Sequence, residues 1–125
     1  MNTYSQEELQ NALKIISSAI RNCEKIHPKF PEGTSQHSLL VNRIKALNIS
    51  KSLIENDSSI QTYTRAEFKN ALPPVISIIH KTEKAQSKYD EDNTLFKQLS
   101  PMIKAMYIAK ALISDEIRKE NKNPS

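Results

Sequence analysis

Few side chains in this chain are of types that could do chemistry, and the most suggestive set is Cys23, His27 and His37. Cys23 and His27 are four residues apart, which puts them on one face of a helix. A thiol beside an imidazole can act as nucleophile and base, and a Cys with two His supplies three ligands of a zinc site. The rest of the sequence argues against both. The second half of the chain repeats the first at an offset of 59, and the matching positions hold Thr82, Gln86 and Phe96, so no second copy of the set exists. Cys23 also falls in an apolar stripe, where a Cys packs as a small hydrophobe. The expectation is a buried Cys23 that holds no metal. The acidic run of "YDEDNT" (89–94) lacks the ligand ladder and the Gly of a calcium loop, and carboxylates just ahead of a helix are stabilising in themselves. Glu24 and Glu83 each adjoin a Lys off the apolar stripe, and His80 faces outward, so all three read as solvated. With one Gly in the chain there is no phosphate-cradling loop, and the inward Glu-x-x-His of di-metal bundles is absent. These readings exclude a recognisable catalytic, metal or cofactor signature.

Charge offers two further candidates. Arg43 falls near the middle of an apolar stripe, where its counterpart is Met102. Its plain reading is a side chain that snorkels past its helix to water; its functional reading is an anion or carboxylate anchor in a cleft. Lys14, Arg21 and Lys25 form one outward band, and Lys81, Lys84 and Lys88 form another. Phosphate backbones reward such stripes through counterion release. Base readout and single-strand binding want clustered Arg or interleaved aromatics, and the four Tyr and three Phe do not interleave with the lysines. The net charge of +4 permits an anionic partner without requiring one.

The elements that must position these residues follow from the repeat. "TYSQEELQNAL" (3–13) falls on "TYTRAEFKNAL" (62–72), and "IKALNISKSLI" (44–54) on "IKAMYIAKALI" (103–113). Each copy reads as a helical hairpin. Ser5-x-x-Glu8 and Thr64-x-x-Glu67 are capping boxes, and Tyr4/Leu9 and Tyr63/Phe68 have the spacing of hydrophobic staples. After the first cap, Leu9, Ala12, Leu13, Ile16, Ala19, Ile20 and Cys23 run at helical spacing until Pro28, Pro31 and Gly33. A second helix from Thr34 or Ser35 carries Leu39, Leu40, Ile44, Leu47, Leu53 and Ile54. In the second copy, Pro73-Pro74 predicts a kink or break at 71–74, and Ser100-Pro101 predicts a short turn from Asn93 followed by a helix starting at Ser100. A bent helix would open or repack the core there, and a partner groove would be lined by Leu72, Val75, Ile79, Met102 and Arg43; the alternative is a kink that only follows the bundle's curvature. Asn11/Asn70 and Ser18/Ser77 are repeated yet point away from the stripes; they are either a residue of duplication or part of a partner surface.

Scarce Gly and abundant helix formers give an all-α fold, a four-helix bundle of two tandem duplicated hairpins with pseudo-twofold symmetry. One domain covers 1–125: repeat one at 3–57, linker 58–61, repeat two at 62–116 and a polar tail at 117–125. The start of the chain does not read as a signal peptide, and no apolar run is long enough for a membrane span. The pattern "EK…EGTSQHSLLVNRIKAL.I.K.LI" resembles small uncharacterised helical proteins of Gram-positive bacteria. That resemblance implies a cytoplasmic setting and assigns no residue a role. The functional expectation is a non-enzymatic interaction or regulatory module, with another protein as partner and no cofactor. The alternatives are a weak nucleic-acid or anion binder using the lysine bands, and an enzyme or metal protein around Cys23, His27 and His37.

Overall fold

The repeated capping spelling starts a helix wherever it occurs. The computed structural model describes residues 3–122, with side chains as far as Lys119, and four α-helices make up most of it. They are α1 (Gln6–Ile26), α2 (Ser35–Glu55), α3 (Arg65–Gln86) and α4 (Thr94–Lys122). The Ser5 hydroxyl accepts from the Glu8 N–H while the Glu8 carboxylate accepts from the Ser5 N–H, and Thr64 and Glu67 reproduce both bonds. Such boxes satisfy two of the orphan donors at a helix start. The Tyr63 and Phe68 rings meet edge to face at 5.9 Å, as a staple requires. Thr34 caps α2 through the His37 N–H. Asn56 ends α2 in the left-handed region at φ 54°, a conformation Asn tolerates at a helix end. A short 3-10 helix, Ser58–Thr62, then leads to α3.

Successive helices pack as antiparallel neighbours, α4 closes back on α1, and α2 touches α4 across the diagonal, whereas α1 and α3 do not meet. This is an up-and-down four-helix bundle. The core draws on matching positions of the two hairpins. Ala12, Ile16, Ile20, Ala46, Leu47, Ile49 and Ile54 are buried, and so are Ala71, Val75, Ile79, Ala105, Met106, Ile108 and Ile113, each 59 residues on. Sealing a side chain such as Leu47 or Ile113 contributes about 1.5–3 kcal/mol relative to leaving it in water. Leu39, expected on the α2 stripe, is instead 44% exposed, and Cys23 is half-buried rather than buried. The segment beyond residue 116 stays helical to Lys122, and Ile117 packs against the core.

α3 has no break at 71–74, and the expected helix start at Ser100 needs correction. α3 runs unbroken through Pro73 and Pro74, and α4 runs unbroken from Thr94 through Pro101. Pro73 and Pro101 are exposed and Pro74 is half-buried, so the missing N–H groups lie away from the core. Ala71, Val75 and Ile79 hold the flanking turns of α3 in place by burial. Ser100 does not cap a helix; its hydroxyl bonds back to the Phe96 carbonyl at 3.3 Å. The helix start belongs to Asn93, whose side chain accepts from the Leu95 N–H at 2.8 Å.

Candidate functional site

The capping glutamates also tie the two hairpins together. Lys104 Nζ reaches Glu8 Oε2 at 3.0 Å, from α4 to α1. Lys45 Nζ reaches Glu67 Oε2 at 2.9 Å, from α2 to α3. The two bridges are one contact written twice, because the Glu and the Lys are each displaced by 59. Both glutamates titrate below the ordinary value of 4.5, first because a backbone N–H (Ser5 or Thr64) bonds the carboxylate, then because of the lysine.

Each bridge stands at the mouth of a seam between helices, and the two seams differ. Along α1–α4, a cavity of about 290 Å³ is lined by Glu8, Asn11, Ala12, Ile15, Ser100, Pro101, Lys104 and Ala105. A second cavity, of about 330 Å³, continues it through the shared Ile15 and Pro101 to Lys14, Ser18, Ala19, Asn22, Gln98 and Met102. On α1 the groove runs from Glu8 to Asn22, about 21 Å at 1.5 Å per residue. Along α2–α3, Asn42, Lys45, Ala46, Ile49, Glu67, Asn70 and Ala71 leave only about 100 Å³. The two seams differ in sequence where they differ in space. Pro101 lines the open seam where the closed one has Asn42, and Ile15 lies where the other copy has Pro74. The floor of the groove is apolar (Ala12, Ile15, Ala19, Pro101, Met102) and its rims carry amides and hydroxyls (Asn11, Ser18, Asn22, Gln98). That combination suits a chain segment that buries an apolar edge while its polar groups find partners at the rims.

The sequence-selected groove residues do not share one place. Val75 and Ile79 are 0% and 2% exposed and belong to the sealed core. Leu72 is half-buried against the core, and Met102 lines the α1–α4 groove. Arg43 lies in the body of α2, within electrostatic reach of Cys23 on α1. Burial pushes the Cys23 thiol up, the Arg43 charge opposes that, and Glu24 adds to it. Arg43 is half-buried, and its Nε and Nη2 atoms are buried with no hydrogen-bond partner among the described residues. Lys14, Arg21 and Lys25 are exposed on α1; Lys81 and Lys84 are exposed on α3 and Lys88 in the turn just after it. Those helices occupy the non-touching diagonal, so the two basic bands face opposite sides of the bundle.

His27 and His37 do meet. Their Nε2 atoms are 2.9 Å apart at the α1–α2 turn, with ring centroids at 4.5 Å. Cys23 does not complete a set with them: no group of three His, Cys, Asp or Glu able to hold a metal occurs among the described residues. The matching pair in the second hairpin is joined too, by Gln86 Nε2 donating to the Phe96 carbonyl at 3.0 Å. A larger depression of about 990 Å³ lies at the opposite end, where α4 outruns α2 over the 56–61 segment. Its cations are tied to neighbouring acids on the same helix, Arg118 to Asp115 and Lys119 to Glu116, and it is open on one side.

Sequence reasoning missed Ile15 and Pro101 as groove residues. The signal that could have found the groove was the repeat of Asn11 at Asn70 and of Ser18 at Ser77, which core packing left unexplained. Asn11 and Asn70 each line a seam beside an ion pair, and Ser18 lines the open one. Compared with known protein families, with curated proteins and with solved structures, the chain finds no match in any of the three. Among the described residues, no helix is long and apolar enough to cross a membrane.

Proposed function

We propose that this protein is a non-enzymatic interaction module of the cytoplasm, whose α1–α4 groove receives an elongated amphipathic segment of a partner protein. The observation that carries the reading is that the seam beside Glu8–Lys104 holds a cavity of about 290 Å³ where the matching place beside Lys45–Glu67 holds about 100 Å³. Two hairpins of common origin, related by a pseudo-twofold axis, would give two equal seams. Substitution at Pro101 and Ile15 makes one of them a site. The groove's length matches about four helical turns, and Lys14 at its rim, with no acid of the groove beside it other than the already paired Glu8, favours an acidic segment. The only acid–base couple at the groove, Glu8 with Lys104, is committed to holding the helices together, which supports binding rather than catalysis.

The alternative, nucleic-acid binding by the lysine bands, draws less support. A duplex laid on Lys14, Arg21 and Lys25 would leave Lys81, Lys84 and Lys88 on the far side. A short stripe of about three phosphate contacts gives salt-sensitive binding with no base readout.

The test is a matched pair of variants. Asn11→Trp fills the open groove, and Asn70→Trp places the same bulk at the closed seam; both positions are exposed, so both chains fold. Partner binding should fall by about tenfold or more in Asn11→Trp and stay at the wild-type level in Asn70→Trp. Equal binding by wild type and Asn11→Trp would remove the groove from the account.

A further inference from the structure

The pair His27 and His37 is used neither by the core nor by the groove. We propose that it is a binding site for one divalent transition-metal ion with a square-planar preference, Cu(II) or Ni(II), held through both Nε2 atoms. The two nitrogens are 2.9 Å apart, which by itself would suit a hydrogen bond. The rings, however, are not end to end. Their centroids are 4.5 Å apart and their planes tilted by 36°, closer than a straight N–H···N bond would hold them, so the two Nε2 atoms are near neighbours that are not aligned end to end. Two nitrogens about 2.0–2.1 Å from one ion and at a right angle to each other are about 2.9 Å apart, whereas tetrahedral ligands are further apart. The observed spacing therefore fits neighbouring corners of a square-planar or tetragonal site, and imidazole is a preferred ligand of both metals.

The backbone that carries both rings is fixed by the turn between the helices. His27 ends α1 immediately before Pro28, and His37 lies in the first turn of α2, where Thr34 Oγ1 accepts from its N–H at 3.2 Å. The Thr34 hydroxyl itself donates to the Pro31 carbonyl at 2.8 Å, which fixes the turn between them. Among the described residues neither ring makes another hydrogen bond, so the second nitrogen of each can carry its proton and leave both Nε2 lone pairs for an ion. Closing the hairpin does not need two imidazoles: the second copy does it with Gln86 and the Phe96 carbonyl. With two protein ligands, the remaining positions fall to water or to a group on another molecule.

The test is titration of the full chain with copper chloride and nickel chloride, followed by calorimetry and, for copper, by electron paramagnetic resonance. The wild type should bind one equivalent of Cu(II) with a spectrum of two nitrogen ligands. His27→Gln imitates the second copy's latch and keeps the fold; it and His37→Gln should each weaken binding by about tenfold or more. His80→Gln, on an exposed face, should bind as wild type. Binding by His27→Gln or His37→Gln at the wild-type level would overturn the proposal, as would equal loss in His80→Gln or no binding by the wild type.

Discussion

Replacing Arg43 by Met should make the protein more stable. Met is the residue at the matching position of the second hairpin, where it sits half-buried at a helix seam. Arg43 Nε and Nη2 are shut away from water and have no partner among the described residues. A buried donor left unmade costs about 1–3 kcal/mol. Arg43 as a whole is half-buried, so the lower part of that range applies, about 1–2 kcal/mol. Met keeps the apolar stem's packing and removes both donors and the charge, the kind of exchange that leaves a core neutral or firmer. At this chain length each kcal/mol corresponds to about 4 °C in melting temperature, so a rise of about 4–8 °C is expected. A thermal melt followed by circular dichroism measures the rise, and urea denaturation with an unchanged m value measures the free energy. The same variant has a second readout. The Arg43 charge opposes the upward push of burial on the Cys23 thiol, so removing it should raise that thiol's pKa further and slow its reaction with a disulfide reagent at a given pH. A loss of 1 kcal/mol or more in Arg43→Met would refute the reasoning, because it would mean that the guanidinium has a partner whose loss matters.

Two further outcomes follow from the bundle itself. Glu8 and Glu67 have folded pKa values below 4.5, so their contribution is present above that pH and is lost as pH falls from 4.5 through the depressed values. Glu8→Gln/Glu67→Gln should flatten this acid limb of the stability profile, as should added salt, because both bridges are exposed to solvent. Pro73→Ala should stabilise by about 1–3 kcal/mol in thermal melts, since Pro73 is exposed inside an unbroken helix and Ala is the best helix former; destabilisation would show that the ring packs to some purpose.

The repeat made the bundle legible before any coordinate. Ser5 and Thr64 announce two helix starts, and the stripe from Ala12 to Ile20 announces the buried face, because caps and periodicity are local physics. The prolines misled for the opposite reason. Their local cost is real, but Ala71, Val75 and Ile79 are buried on both sides of Pro73-Pro74, and tertiary packing outweighs two missing bonds on the outer face. The open seam was not legible because it is a difference between two interfaces: Pro101 reads as a helix breaker in the sequence, and its effect appears only when Asn42 is seen in the same place across the other seam. His27 and His37 were recognised as reactive types, but the ten-residue turn that sets their nitrogens face to face is a three-dimensional closure.

The most direct measurement of the central claim is a residue-by-residue map of partner binding by heteronuclear NMR on the whole chain. The account predicts that amide shifts on adding the partner concentrate at Asn11, Ile15, Ser18, Asn22, Gln98 and Met102 along the α1–α4 groove. Shifts concentrated instead at Asn42, Lys45 and Asn70 on the closed seam, or along Lys81, Lys84 and Lys88, would contradict it.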